Sequence, residues 1–192
     1  MNRRPVREDG PSKARSRSRN VRHWNRGQSL VEFSLILTPL LLILLGIVQF
    51  GLIFNAQVTI TNAAREGARA ATIYRFDDAK TKSQNDGLRD DATIAAITSS
   101  LGILSRNAPQ FSGAGTWSSS GTSPNLTYTN GDIVVVYSVP TGVTDSDARA
   151  GEQIKVSITY HQDLVVPLIA NLLPRDSNGR LAQGATVTMV IN

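Results

Sequence analysis

Hydrophobic and polar positions follow two different regimes along this chain. From Phe33 to Phe54 the sequence reads FSLILTPLLLILLGIVQFGLIF, 22 residues without a charge, sixteen of them Leu, Ile, Val or Phe. At a helical rise of 1.5 Å per residue this run is about 33 Å long, enough for a hydrocarbon core of about 30 Å. Its apolar side chains favour insertion by about 5 to 10 kcal/mol. That outweighs the contribution of Ser34, Thr38, Pro39 and Gln49. A core helix of a soluble protein would carry a polar face, and this run has none. The pattern predicts a membrane-spanning helix, kinked near residues 35–39 where Pro39 frees a carbonyl.

Beyond Phe54 the chain turns alanine-rich. The stretch AQVTITNAAREGARAATIYRF has no proline, and its alanines favour continuation as one helix from Gln28 to about Tyr74. Ala56, Ala63, Gly67, Ala70 and Ala71 fall near one face, which suits packing either on the chain's own domain or on another subunit. Arg65, Glu66 and Arg69 read as a solvated or ion-paired helix face rather than a catalytic group.

The remainder alternates between helical and strand periods. Asp86–Leu104 predicts an amphipathic helix with Leu88, Ala92, Ala95, Ala96, Ser99 and Leu101 or Ile103 inward. Residues 107–124 read as a loop around Trp117, and Asn130-Gly131 as the turn of a hairpin between LTYT and DIVVVYSV. TGVTDSDARAGE is loop. Ile154, Val156, Ile158 and Tyr160 alternate with Lys155, Ser157, Thr159 and His161, a strand with one wet face. LVVPLIANLLP, broken by Pro167, is a short docking helix or a surface-seeking loop, and GATVTMVI a closing strand. The sum is an α+β fold, a long N-terminal helix laid on an antiparallel sheet of about four strands. The expected division is residues 1–27, then the helix to residue 75 with its transmembrane half at 33–54, then an outer α+β domain over 76–192.

Charge gives this picture a direction. Residues 1–26 hold nine Lys or Arg against Glu8 and Asp9, a net of +7, whereas the rest of the chain nets −2. The tail is Arg- and Ser-rich and is expected to lack structure by itself. Its positive charge flanks the N-terminal end of the apolar run, so residues 1–27 form a cytoplasmic leader and the body lies outside. Next to a membrane span, and with Trp24 as its one aromatic, the tail reads as topogenic, and no nucleic-acid partner is expected.

Candidate chemistry is sparse. The absence of cysteine removes disulfides and thiolate chemistry. His23 lies in the leader, and His161 stands on a polar strand face without an obvious partner. Asp145-Ser146-Asp147 and Asp176-Ser177-Asn178-Gly179 begin like calcium loops but lack the later ligands, and read as turns. With no phosphate-cradling glycine motif and no Ser-His-Asp arrangement, no enzyme activity, catalytic residue, metal or cofactor is expected.

Glu32 stands apart, as the last charge before 32 uncharged residues, Phe33 to Ala64. A carboxylate at the edge of lipid is costly unless paired, and such groups commonly mark function. The apolar segment has three fates open to it: a signal peptide cut beyond the run, an intact anchor, or a helix released by cleavage on its cytoplasmic side. Cleavage after Gly27 would make Gln28 the first residue and Glu32 the fifth. The new α-amine of a neighbouring subunit would then lie at the depth of Glu32 and pair with it. The plainer alternative is a glutamate that snorkels to the interface with no special role.

Arg26-Gly27-Gln28, Val31-Glu32-Phe33, Pro39 and Asn62-Ala63-Ala64-Arg65-Glu66-Gly67-Ala68-Arg69 together resemble the TadE-like pilus-assembly family, over about residues 24–73. These are minor pilins or pseudopilins of the bacterial tight-adherence (Flp) system. The resemblance implies a pilin-like helix and cleavage between Gly27 and Gln28 by a membrane prepilin peptidase. Glu32 would be the glutamate of the Gly-x-x-x-x-Glu-(Tyr/Phe) site and Phe33 its aromatic neighbour, both serving recognition and assembly. The partners it implies are that peptidase, other pilins and pseudopilins, pilus assembly platform proteins and membrane lipid. The place it implies is the bacterial cytoplasmic membrane, in a single pass, and from there the surface pilus. The competing expectations are an uncleaved single-pass protein with an extracytoplasmic binding domain, and an exported module behind an ordinary signal peptide.

Overall fold

The computed structural model describes residues 24–107, 111 and 116–192. The leader up to His23 lies outside them. The chain divides into two units, one up to Ile43 and one from Leu44 to Asn192. Helix α1, Trp24–Thr72, starts four residues before the expected Gln28 and stops two short of Tyr74. It runs on through Pro39, with the Thr38 hydroxyl donating to the Ser34 carbonyl at 2.9 Å.

The part of α1 up to Ile43 presents large apolar side chains outward. Leu35 is 72% exposed, and Leu30, Val31, Phe33 and Ile36 are exposed as well. Of the most apolar window in α1, 6% is buried. A helix that length and composition suit to a membrane, and that the protein leaves uncovered, is what a lipid-facing segment requires.

In the second unit the alanine stripe goes inward. Ala56, Ile60, Ala63, Ala64, Ala68 and Ala71 are buried in one cluster with Ile97 and Leu101 and with the inner residues of the sheet. The stripe therefore packs on its own domain, which decides between the two alternatives. Gly67 shows why it must be small: a Cβ there would fall 2.6 Å from Ile97 Cγ1. Arg65, Glu66 and Arg69 are exposed on the opposite face.

Helix α2, Lys82–Leu101, opens with a capping box in which Thr81 and Gln84 satisfy each other's backbone N–H groups. Asn85, fully buried, organises the connection from α1, accepting from Tyr74 Oη at 3.1 Å and from the Asp77 N–H at 2.9 Å. The inward face differs from the expected one. Leu88 is 42% exposed, while Asn85, Asp86, Arg89, Asp90 and Thr93 are buried, followed by Ile94, Ile97 and Leu101.

Among the described residues five strands follow one another in sheet order, all antiparallel: β1 Ser118–Thr122, β2 Asn125–Asn130, β3 Ile133–Ser138, β4 Gln153–Gln162 and β5 Leu181–Val190. The expected count was four, and the addition is β1, SSSGT, inside the stretch read as loop. All its residues are exposed, and it is held through its pairing with β2. The hairpin turn is displaced by one residue: Asn130 pairs with Ile133, which leaves Gly131-Asp132 as the loop. Gly131 alone of the two has positive φ, +56°, as at the first central position of a type II′ turn.

On β4, Ile154, Val156, Ile158 and Tyr160 are buried as their alternation predicts. Cross-strand rows such as Tyr128–Val135–Val156–Val187 build the inner face. Between β4 and β5 lies a single helical turn, α3, Pro167–Ala170. His161 is not partnerless: its Nδ1 lies 2.7 Å from Asp176 Oδ2 and its Nε2 3.5 Å from Asp132 Oδ2. Asp176 Oδ1 accepts from the N–H groups of Asn178 and Arg180, so DSNG is a turn leading into β5.

Candidate functional site

Among the described residues, two groups of charged side chains lie beside apolar ones. The first is the start of α1. Gly27, Gln28, Glu32 and Phe33 are all exposed there, and Gln28 Nε2 donates to Glu32 Oε1 at 3.0 Å, one turn along. A Cβ built on Gly27 meets no atom within 4 Å. Nothing in the fold demands glycine at this position. Because α1 begins at Trp24, the Gly27–Gln28 bond lies in helical backbone. A protease acting there must open the first turns, and glycine, about 1 kcal/mol poorer than alanine in a helix, eases that opening.

The second place was not foreseen. On the buried face of α2, Asp86 receives a two-pronged contact from Arg149, Nε to Oδ1 at 2.7 Å and Nη2 to Oδ2 at 2.8 Å. Arg149 Nη1 donates to Glu152 Oε2 at 2.7 Å, and its guanidinium stands 4.3 Å from the centre of the Tyr137 ring. Arg89 Nη1 adds a longer contact to Asp86, 3.3 Å. Tyr128 Oη donates to Asp86 at 3.2 Å, and Tyr137 Oη to Asp90 at 2.6 Å. Arg149 takes φ +56°, a left-handed conformation that costs a non-glycine residue about 1 to 3 kcal/mol. The fork on Asp86 and the bond to Glu152 hold it there.

Burial, reinforced by the nearby charge of Asp86, pushes the Asp90 carboxyl up to about 8, against the opposing pull of the Tyr137 hydroxyl. With Asp90 protonated, the formal charges of Asp86 and Glu152 balance those of Arg89 and Arg149. The Tyr137 phenol is raised well above its usual value, first by burial and then by Asp90.

A cleft of about 300 Å³ opens over this network, with Arg149, Asp86, Tyr128 and Tyr137 in its lining. Lys82 and Asp145 pair there, and that pairing holds the Asp145 carboxyl down at about 2. Asp145, noted for its calcium-like spacing, thus serves as an ion-pair partner of α2. Each guanidinium in the network is engaged by a carboxylate or a carbonyl of the same domain. The arrangement fastens the loop carrying Arg149 and Glu152 to α2 and the sheet.

The comparisons bear on the first place. Residues 27–69 match the family model described as TadE-like protein. This chain carries a TadE-like segment. The match starts at Gly27 and ends at Arg69, so it takes in the apolar run and the alanine stripe together. The match covers 43 of the chain's 192 residues, and the exposed apolar helix is compatible with a single-pass membrane protein. No curated protein and no solved structure matches the chain.

Proposed function

We propose that this protein is a structural subunit, a minor pilin or pseudopilin, of a tight-adherence pilus, released from its leader by a prepilin peptidase that cuts after Gly27. The observation that carries the reading is the TadE-like match over a helix whose apolar part the protein leaves uncovered. The apolar run holds the subunit in the cytoplasmic membrane with the sheet domain outside. Glu32 then neutralises the α-ammonium of a neighbouring Gln28 at similar depth, so that assembly removes an unpaired charge from the edge of lipid. The role is one of assembly, without catalysis, and its partners are other pilins and the platform that assembles them.

The cleft over Asp86 and Arg149 favours a second reading, an uncleaved single-pass protein whose outer domain binds a ligand or an envelope partner. The mature N-terminus separates the two. Intact mass of material purified from membranes of the native host should show Gln28 first; retention of residues 1–27 would overturn the pilin reading.

A further inference from the structure

We infer that the segment Leu164–Pro174, with α3 at its centre, is a second membrane contact that lies in the lipid beside α1. The segment LVVPLIANLLP is uncharged and bounded by Asp163 and Arg175. Among its described residues the large apolar side chains that point away from the protein are Val165, 71% exposed, and Leu172, 82%; Pro174 is exposed as well, and so is Asn171, whose Oδ1 accepts from Arg175 at 3.1 Å. Exposed apolar residues alone would say little, but here the fold fixes where they stand. A Cβ on Gly46 would fall 3.6 Å from Ile169 Cδ1, and Gln49 Oε1 accepts from the N–H groups of Val165 at 2.9 Å and Val166 at 3.2 Å. Gly46 and Gln49 belong to the apolar run that ends at Phe54. Five residues of helix separate Gln49 from Phe54 and eight separate Gly46 from it, so the entry to α3 sits about 7 Å, and Ile169 about 12 Å, inside the outer end of that run. Elements lying in the membrane interface are buried about 5 to 10 Å.

The backbone hydrogen bonding suits that location, whereas the buried Gln49 amide nitrogen has no hydrogen-bond partner among the described residues. Backbone N–H groups at membrane depth must find partners within the protein. Gln49, fully buried, supplies one to two successive N–H groups at the entry to α3, and the N–H groups of Ala170 and Leu172 are bonded to Val166 and Ile169. A glutamine in a 22-residue apolar run is otherwise unfavourable; here its carbonyl oxygen is spent on this loop. Ile47, Val48, Phe50 and Phe54 of α1 are exposed too, so the apolar surface continues from the helix onto the segment. Lipid of the outer leaflet is its occupant.

This inference rests on the membrane reading of α1, and the experiment separates the two. The chain has no cysteine, so Val165→Cys, Leu172→Cys, Val48→Cys and Ile103→Cys each give one site for a nitroxide label. All four positions are exposed, so the labels disturb no packing. The full-length protein is reconstituted in vesicles of phosphatidylethanolamine and phosphatidylglycerol, and collision of each label with oxygen and with a water-soluble nickel chelate is measured. The labels at positions 165 and 172 should resemble that at 48, with an oxygen-to-nickel ratio several-fold above that at 103. If 165 and 172 match 103 while 48 stays oxygen-rich, the second contact is refuted and the spanning helix stands. If 48 itself is open to nickel, the spanning reading fails and takes the inference with it.

Discussion

Glu32 and Asp86 are both carboxylates in apolar neighbourhoods, and the protein treats them in opposite ways. Asp86 is 1% exposed and receives hydrogen bonds from Arg149, Arg89 and Tyr128. Glu32 is exposed on a helix of uncovered Leu, Ile and Phe, with the Gln28 amide as its hydrogen-bond donor. The first is satisfied within one chain and contributes to folding. The second has a donor one turn away and, on the proposed pilin reading, would be completed by the α-ammonium of another subunit. A buried charge completed internally belongs to the scaffold, and the proposed function assigns the exposed one to assembly.

The difference is tested most severely by removing the cation that completes the inner network. Arg149→Met leaves Asp86 and Glu152 buried without their strongest donor, and breaking such a pair costs about 3 to 5 kcal/mol. Urea unfolding of the variant, followed by the aromatic signal of the sheet domain, should show that loss. A change below about 1 kcal/mol would mean that the network tolerates water and is not what fastens the loop to α2.

Asp90 gives the next largest effect, as a pH dependence. Burial pushes its carboxyl up to about 8 in the fold, from an ordinary value of 3.8, so the folded protein binds the extra proton between those limits. This contribution is complete below pH 4 and is lost as pH rises toward 8, a decline of a few kcal/mol. Asp90→Asn keeps an acceptor for Tyr137 and cannot ionise. Its stability should be flat over that range where the parent's falls; parallel slopes would refute a neutral Asp90.

Why this network escaped the sequence follows from how charge is read. Asp86, Arg89 and Asp90 look like the solvated face of a helix, and so Leu88 and the alanines were turned inward instead. The signal was present in the spacing. Stepping back from Leu101 through Ile97 and Ile94 in helical strides of three and four lands on Asp90 and then Asp86. Strand β1 carries no comparable signal, for SSSGT alternates nothing and is defined by its neighbour. By contrast β4 and the apolar run were legible because each keeps one pattern over its length, alternation for a half-buried strand in one case and 22 uncharged residues in the other. At Gly27 and Glu32 the surroundings are plain enough that a single departure from pattern is visible.

Glycine offers a smaller and cleaner contrast. Gly67→Ala places a methyl group against Ile97, and overpacking of this kind costs about 1 to 3 kcal/mol, less about 1 kcal/mol regained from helix propensity. Thermal unfolding should register the net loss. Gly27→Ala meets open space and should leave the melting temperature unchanged or slightly raised, while mobility on a gel reports whether the leader is still removed.

Glu32→Gln is the smallest change to the fold and the most pointed test of the working surface. Glutamine keeps an oxygen for the Gln28 amide, so helix α1 loses a charge and no hydrogen bond. Stability of the sheet domain should stay within about 0.5 kcal/mol of the parent, as expected for an exposed substitution. Processing after Gly27 should continue, because the scissile bond and its backbone are untouched. Incorporation into filaments, measured by sedimentation of sheared surface material, should fall, since an amide cannot neutralise the ammonium of a neighbouring chain. Undiminished incorporation would leave Glu32 an ordinary interfacial glutamate and would remove the electrostatic step from assembly, whatever the mature N-terminus proves to be.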